Sequence, residues 1–270
     1  MSTATLTAQE SLEDQRISLR ASLRHIGALT RRNLMRIKAD PESLFDVLLM
    51  PIVFTTLFVY VFGGAISGGQ HNYLQYMAPG LLGMTAMQLS MAVGTGLSTD
   101  ISTGIMDRFR TMPIGRSSVL VAKLIAEVCR ALVAMVILLS FAMILGLRIE
   151  TGPLQLVAAV GLSMAFASGL VWVSMLLGMT MKSPQSVQGV GMLVMMPLQF
   201  GSSIFAPTST MPGWLQAFTK VNPLSALANA DRALINGGAV LHPALQVLAW
   251  AVGLTAVFAP LAVAKYKKKT

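Results

Sequence analysis

Long apolar runs alternate along this chain with short polar breaks marked by Pro, Gly or charge. A helix needs roughly 20 mostly apolar residues to cross ~30 Å of hydrocarbon. Six spans are predicted on that basis, over 44–62, 74–98, 118–147, 154–181, 187–205 and 241–264. Between the first two, 63–73 reads as a Gly-rich loop without Lys or Arg. The third span is charged in its opening turns and uncharged over 131–147. There Lys123, Glu127 and Arg130 stand at i, i+4 and i+3 spacings that let the three pair along one face, and no second buried acid is expected beside Glu127. Pro51, Pro79 and Pro260 fall within predicted spans, where neighbouring groups can satisfy the freed backbone. The fourth span carries Gly161, Ala165 and Gly169 at four-residue intervals, a spacing that lets helix backbones approach closely.

Three stretches break the pattern. Over 16–38, Leu19, Leu23, Ile26, Leu34 and Ile37 share a stripe while Arg16, Arg20, Arg24, Arg31, Arg32 and Arg36 occupy other faces. A basic helix with one apolar stripe suits an anionic membrane surface. Over 100–116, helical spacing puts Ile101, Ile105, Phe109 and Met112 on one side and Thr103, Asp107 and Arg110 opposite, before Pro113 ends the helix. A short amphipathic helix between two spans is a surface element, gripped by lipid or by another protein. Over 206–240, Pro207, Pro212, Gly213, Pro223, Gly237 and Gly238 divide two short runs, 214–219 and 224–234. Neither is long enough to cross, so both are predicted as re-entrant or interfacial helices, with Trp214 at headgroup level.

Composition narrows the class. The 270 residues are 54% hydrophobic and 11% charged, against about 25% charged in soluble domains. The chain is therefore expected to be an all-α integral membrane protein. Its net charge of +9 flanks apolar spans, which assigns it to topology and the lipid surface rather than to nucleic acid. With both termini cytoplasmic, only Arg148, Lys220 and Arg232 of the 20 Lys and Arg residues fall outside. The positive-inside bias thus places 100–116 in the cytoplasm. No cleavable leader is expected, since the first apolar run starts near residue 44. The lone Cys129 permits no intrachain disulfide. No Gly precedes a Lys, so a phosphate-cradling loop is missing. His25, His71 and His242 lie far apart, without metal-ligand spacing or a nucleophile at the same depth. By itself the chain is not expected to be an enzyme, nor to bind a metal or cofactor.

Two motifs then carry a resemblance. The first is Asp100, Gly104, Asp107-Arg108-Phe109-Arg110, Thr111, Met112-Pro113 and Arg116, followed by Lys123, Glu127 and Arg130. The second runs from Ser203 to Pro207, through Pro212 and Trp214 to Asn222-Pro223-Leu224 and Arg232. In this order around six spans they resemble the membrane subunits of type-2 ABC exporters, in particular the daunorubicin-resistance-type drug export permeases. The resemblance covers most of residues 20–265. It implies that residues 1–43 form a tail and interfacial helix, 44–264 a six-span permease domain and 265–270 a basic tail. It also implies that the helix between spans two and three couples to a separate ATPase, with Phe109 and Met112 as anchors and Asp107, Arg108 and Arg110 fixing orientation. ATP and Mg would then be bound by two copies of that ATP-binding subunit. A second permease half, identical or paralogous, would complete the exporter in a bacterial plasma membrane.

The cargo is expected to be a hydrophobic drug, antibiotic or lipid-like molecule. Met residues recur on spans two and five, and their deformable, polarizable side chains suit varied apolar cargo. Met87, Gln88, Met195, Gln199 and Phe200 are the candidate path residues. The alternatives are a polysaccharide exported by the same architecture, or an ion- or proton-driven secondary transporter. The latter calls for mid-span charges and an inverted repeat, neither of which is evident here.

Overall fold

The computed structural model describes residues 41–67, 69–104 and 116–269, with isolated helical positions 27, 28, 30, 31, 33 and 35. Among the described residues there are eight α-helices and one 3-10 turn. They are α1 (Pro41–Ser67), α2 (Gln70–Ser102), α3 (Arg116–Ile144), α4 (Pro153–Thr180), α5 (Pro184–Phe200), the turn Thr208–Thr210, α6 (Gly213–Val221), α7 (Pro223–Asn236) and α8 (Leu241–Lys269). Most of the interfacial helix expected near the N-terminus lies outside the described residues.

By length and composition, three stretches among the described residues can cross a membrane: Leu120–Ile144, Pro153–Thr180 and Leu241–Tyr266. Pro51–Gly64 is apolar but shorter. Helix α2 has 33 residues, long enough at 1.5 Å per residue, but it is rich in Gly, Ser, Thr and Gln. Its position explains that composition. It is buried on nearly all sides from Tyr73 to Asp100, so its surface faces protein. Helices α6 and α7, of 9 and 14 residues, are too short to cross, in keeping with the two short runs.

Three boundaries differ from expectation. Helix α2 runs past 98 to Ser102 and the chain turns at Thr103–Gly104, so the helix expected over 100–116 is interrupted there by a glycine at φ 71°. The stretch 63–73 is mostly helical, because α1 continues to Ser67 and α2 starts at Gln70. Gly63 permits this turn: a Cβ there would lie 2.8 Å from Gln70 Cα, and its carbonyl accepts from Gly69 N at 3.1 Å. At the third boundary α5 stops at Phe200, and 201–207 is irregular. Local signals set the remaining ends. Ser183 Oγ accepts from Ser186 N at 3.2 Å at the start of α5, with Pro184 in the first turn, where its missing N–H does no harm. Gly146, at φ 109°, ends the turn after α3, where Leu147 N reaches back to Ala142 O at 2.9 Å.

Helices α2 and α4 form the centre. Helix α8 packs along α4, α1 along α2, and α3 against both α2 and α4. Helix α7 lies across one end, touching α2, α4 and α8. Helix α5 rests on α2, barely meets α4 and α7, and makes no contact with α8. At the α2–α4 crossing, a Cβ on Gly94 would sit 2.5 Å from Ser174 O, and one on Gly178 would overlap Gly94 O. Of the small-residue stripe on α4, Gly169 packs on α8, where a Cβ would lie 3.1 Å from Ala251 O. Gly161 has open space around it.

Side chains at these glycines should therefore differ sharply in effect. Gly94→Val forces α2 and α4 apart, at an overpacking cost of roughly 1–3 kcal/mol or more, and should lower the midpoint of thermal unfolding in detergent. Gly161→Ala should leave that midpoint unchanged. Equal midpoints for Gly94→Val and the wild type would show that the crossing does not depend on close approach.

Candidate functional site

Polar chemistry gathers at the two ends of the α2–α4 pair. At the first end α2 stops at Ser102 and the chain turns through Gly104, whose φ of 71° is a left-handed conformation open to Gly. Gly104 N bonds to Ile101 O at 3.2 Å. Asp100, one turn earlier, forms an ion pair with Lys123 on α3. One turn further along α3, Arg130 closes on Glu127, with Nη2 at 2.7 Å and Nε at 3.1 Å from the same carboxylate oxygen. Both pairs are largely buried. They border a pocket of about 350 Å³ that Thr99, Gly96 and Asn33 also line. Lys123, expected to join its own helix's charges, thus reaches across to α2. The Asp100–Lys123 bridge fastens α2 to α3 on either side of the connecting segment. Within that segment Asp107, Arg108, Phe109, Arg110, Met112 and Pro113 lie outside the described residues, and Arg116 opens α3.

At the second end, side chains take over what a continuous helix would have done for 201–207. Asn222 Nδ2 donates to Leu198 O at 2.8 Å and Gly201 O at 3.1 Å. Thr219 Oγ1 also donates to Gly201 O, at 3.1 Å. Ser203 O accepts from Tyr76 OH at 2.8 Å and from Arg232 Nη2 at 2.9 Å. Phe205 O accepts from Tyr73 OH at 3.0 Å. Arg232 also donates to Tyr76 O at 2.9 Å and Asn229 Oδ1 at 2.8 Å, and lies 3.8 Å over the Tyr76 ring. Asn222 and Pro223 start α7, with Leu224 N bonding to Asn222 Oδ1 at 2.9 Å. Pro212 precedes α6, and Trp214 is 73% exposed.

The expectation of no second buried acid beside Glu127 is corrected by Asp100, which is buried and borders the same pocket. Asp231, at this second end, is a third buried acid that spacing did not reveal. It is fully buried. One carboxylate oxygen accepts from Ser163 Oγ of α4 at 2.8 Å, while the other has no partner. Burial holds this carboxyl well above the usual carboxylate range, against the opposing pull of the Ser163 bond and the Arg232 charge. The adjacent Arg232 is spent on backbone carbonyls instead. Its Asp-Arg spelling resembles an ordinary surface pair; only the packing of α7 on α4 separates the two.

Between the ends, α2, α4, α5 and α8 enclose a cavity of about 540 Å³ whose lining includes Met87, Met91 and Met195. Two of the five candidate path residues thus share one space. Gln199 is buried against it, with Nε2 3.9 Å from Met87 Sδ. Gln88, half-buried, is not part of the lining. Phe200 is 53% exposed and stacks on Phe205 at 5.5 Å, which stacks on Phe58 at 4.8 Å.

Each end yields a test. Asp100→Lys or Lys123→Asp alone should lower folded yield, and the two combined should restore most of it, as measured by size-exclusion recovery. No recovery in the double variant would deny the pairing. At the other end, the raised Asp231 carboxyl favours the folded state at pH below the ordinary carboxylate range. That contribution is lost as pH rises through the folded-state value. Asp231→Asn should therefore keep the Ser163 bond and flatten the pH dependence of thermal stability. An unchanged pH profile would assign that dependence to other groups.

Residues 24–235 match the ABC-2 type transporter family. The daunorubicin resistance ABC transporter permease protein DrrB1 of Streptomyces coeruleorubidus is 38% identical over 238 residues, covering 88% of this chain and 84% of that protein. The doxorubicin resistance ABC transporter permease protein DrrB of Mycobacterium tuberculosis is 30% identical over 194 residues, covering 68% of this chain and 66% of that protein. With both motifs inside the matched region, the chain belongs to the ABC-2 type transporter family and is homologous to the permease subunits of drug-resistance ABC transporters.

Proposed function

We propose that this chain is the membrane half of an ATP-driven exporter that moves a hydrophobic drug or antibiotic out of a bacterial cell. The names of its relatives point to daunorubicin and doxorubicin as representative cargo. The observation that carries the reading is the fastening of both ends of the 105–115 segment by the Asp100–Lys123 bridge, in a chain of this family. A coupling helix can transmit force from an ATPase only if its two ends are tied to the spans it must move.

In this reading six spans (α1, α2, α3, α4, α5 and α8) form the domain 44–264. Residues 1–43 supply the cytoplasmic tail and interfacial helix, and 265–270 the cytoplasmic basic tail. Helices α6 and α7 are re-entrant at the outer face. Phe109 and Met112 seat in the ATPase, with Asp107, Arg108, Arg110 and Arg116 setting its orientation by charge, and Pro113 ending the helix. Two ATP-binding subunits supply the ATP and Mg chemistry, and a second permease half completes the path. Met87, Gln88, Met195, Gln199 and Phe200 contribute to that path. The buried Asp231 is the one feature a proton-driven alternative could claim. The other buried acids among the described residues, Asp100 and Glu127, lie at the far end of the α2–α4 pair and are ion-paired with Lys123 and Arg130, so they offer it no relay.

The deciding experiment is affinity purification of the detergent-solubilised chain from its native host, with mass spectrometry of co-purifying proteins. A stoichiometric ATP-binding subunit should accompany the wild type and be lost in Arg108→Glu combined with Phe109→Ala. Retention of that subunit by the double variant would overturn the coupling assignment. Export driven by an ion gradient, without ATP, would replace the exporter reading by the secondary-transporter one.

A further inference from the structure

The cavity between α2, α4, α5 and α8 is a cleft with an open side. Helices α5 and α8 flank it and do not touch, while α2 and α4 form its floor and Pro223 of α7 closes one end. Its lining on α4 extends to Thr180, the end of that helix, and on α8 to Phe258. In the orientation proposed above this is the inner half of the bilayer. No charged side chain lines it.

One polar group in this apolar wall is unspent. Hydroxyls inside the long helices mostly donate back to a carbonyl one turn earlier: Thr85 to Leu81, Ser90 to Ala86, Ser140 to Val136 and Thr180 to Leu176. Ser174 departs from that habit. It is 5% exposed and lines the cleft, and among the described residues its hydroxyl has no hydrogen-bond partner. A hydroxyl that faces an apolar cleft without a partner forgoes a hydrogen bond, which a ligand oxygen would supply.

We propose that this cleft is a cargo site within each half, entered sideways from the inner leaflet between α5 and α8. It takes the uncharged apolar body of a cargo molecule carrying an oxygen acceptor for the Ser174 hydroxyl. The volume falls in the range of drug-sized sites, which are mostly apolar with a few placed polar groups. Met87, Met91 and Met195 give a wall that adapts its shape, and Trp250 and Phe258 add aromatic surface. A lipid acyl chain fits the same walls but has no acceptor along its length, so it would leave Ser174 unpaired. The proposal rests on the exporter reading for its cargo, but it concerns where within the half that cargo binds.

The test uses the full permease–ATPase complex in lipid vesicles, with daunorubicin as probe. ATP-dependent uptake is measured for the wild type, Ser174→Ala, Val194→Trp at the mouth of the cleft, and Val157→Trp on the exposed face of α4. Ser174→Ala should raise KM about three- to tenfold with little change in kcat, the worth of one hydrogen bond. Val194→Trp should raise KM further, and Val157→Trp should match the wild type. Binding is read separately from Trp250 fluorescence in a variant carrying Trp172→Phe and Trp214→Phe. Daunorubicin should quench it, and should displace quenching by lipids with brominated acyl chains. Wild-type KM in both Ser174→Ala and Val194→Trp overturns the proposal while leaving the exporter intact. Lipid quenching that saturating daunorubicin does not reduce makes the cleft a lipid site, and also overturns it. Absence of ATP-dependent uptake in the wild type, with Trp250 still quenched, would sink the exporter reading instead.

Discussion

The close crossing of α2 and α4 is the contact on which the rest depends. Between membrane helices lipid is as apolar as the side chains, so burial alone drives little association; close packing and hydrogen bonds must do it. Gly94 and Gly178 permit backbone to meet backbone there, and Ser90 Oγ adds a bond to Ala167 O at 3.2 Å about a turn away. The crossing makes the two helices one strut with a chemistry at each end. Six residues beyond Gly94, Asp100 meets Lys123. Eleven residues before Ser174, Ser163 meets Asp231.

Both ends answer the same demand, that polar groups out of reach of water find protein partners. They answer it differently because different groups are in need. At the Asp100 end the helices are continuous and the problem is side-chain charge, which ion pairs resolve. At the α7 end the helix itself breaks, and the problem is a row of free carbonyls. Asn222, Thr219, Tyr73, Tyr76 and Arg232 come from three helices to cap them. The aromatic rings at 73 and 76 lie one turn apart, so one face of α2 serves the carbonyls of Phe205 and Ser203, two residues apart.

How much of this could be read from residue order follows from how local each signal is. Helix ends at Ser183 and Asn222 depend on one or two neighbouring residues and were legible. The end at Gly104 was not, because the apolar spacing over 100–116 runs through it as if the helix continued. So was the Glu127–Arg130 pair, since three residues along a helix fix its geometry. The Asp100–Lys123 bridge spans 23 positions, and no periodicity links them. Asp231 was illegible for a sharper reason: whether it is solvated or buried depends on which face of a short helix meets α4. The Gly-rich stretch 63–73 misled because Gly serves both open loops and close helix contact, and only Gly63 against Gln70 separates the two uses. Met87 and Met195 were found by the recurrence of Met, whereas Phe200, named with them, packs with Phe205 outside the cleft.

Helix α5 is the element that this chain holds least. Its contacts run along α2, with little help from α4 and α7 and none from α8, and Met192, Leu193, Val194 and Met196 stay exposed. Sparse packing of this kind marks the low-stability end of a fold. Yet its last turn is gripped firmly, because Leu198 O and Gly201 O are both held by Asn222 at the start of α7. A molecule lodged between α5 and α8 would supply contacts that the two helices do not make with each other. By mass action it would favour whichever position of α5 it fits best. Any shift of α5 then arrives at Asn222, and through α7 at Ser163 and the far end of the α4 strut. The weakly held middle of α5 and its tightly held end therefore belong to one mechanical chain, and the cleft lies where a ligand can act on it.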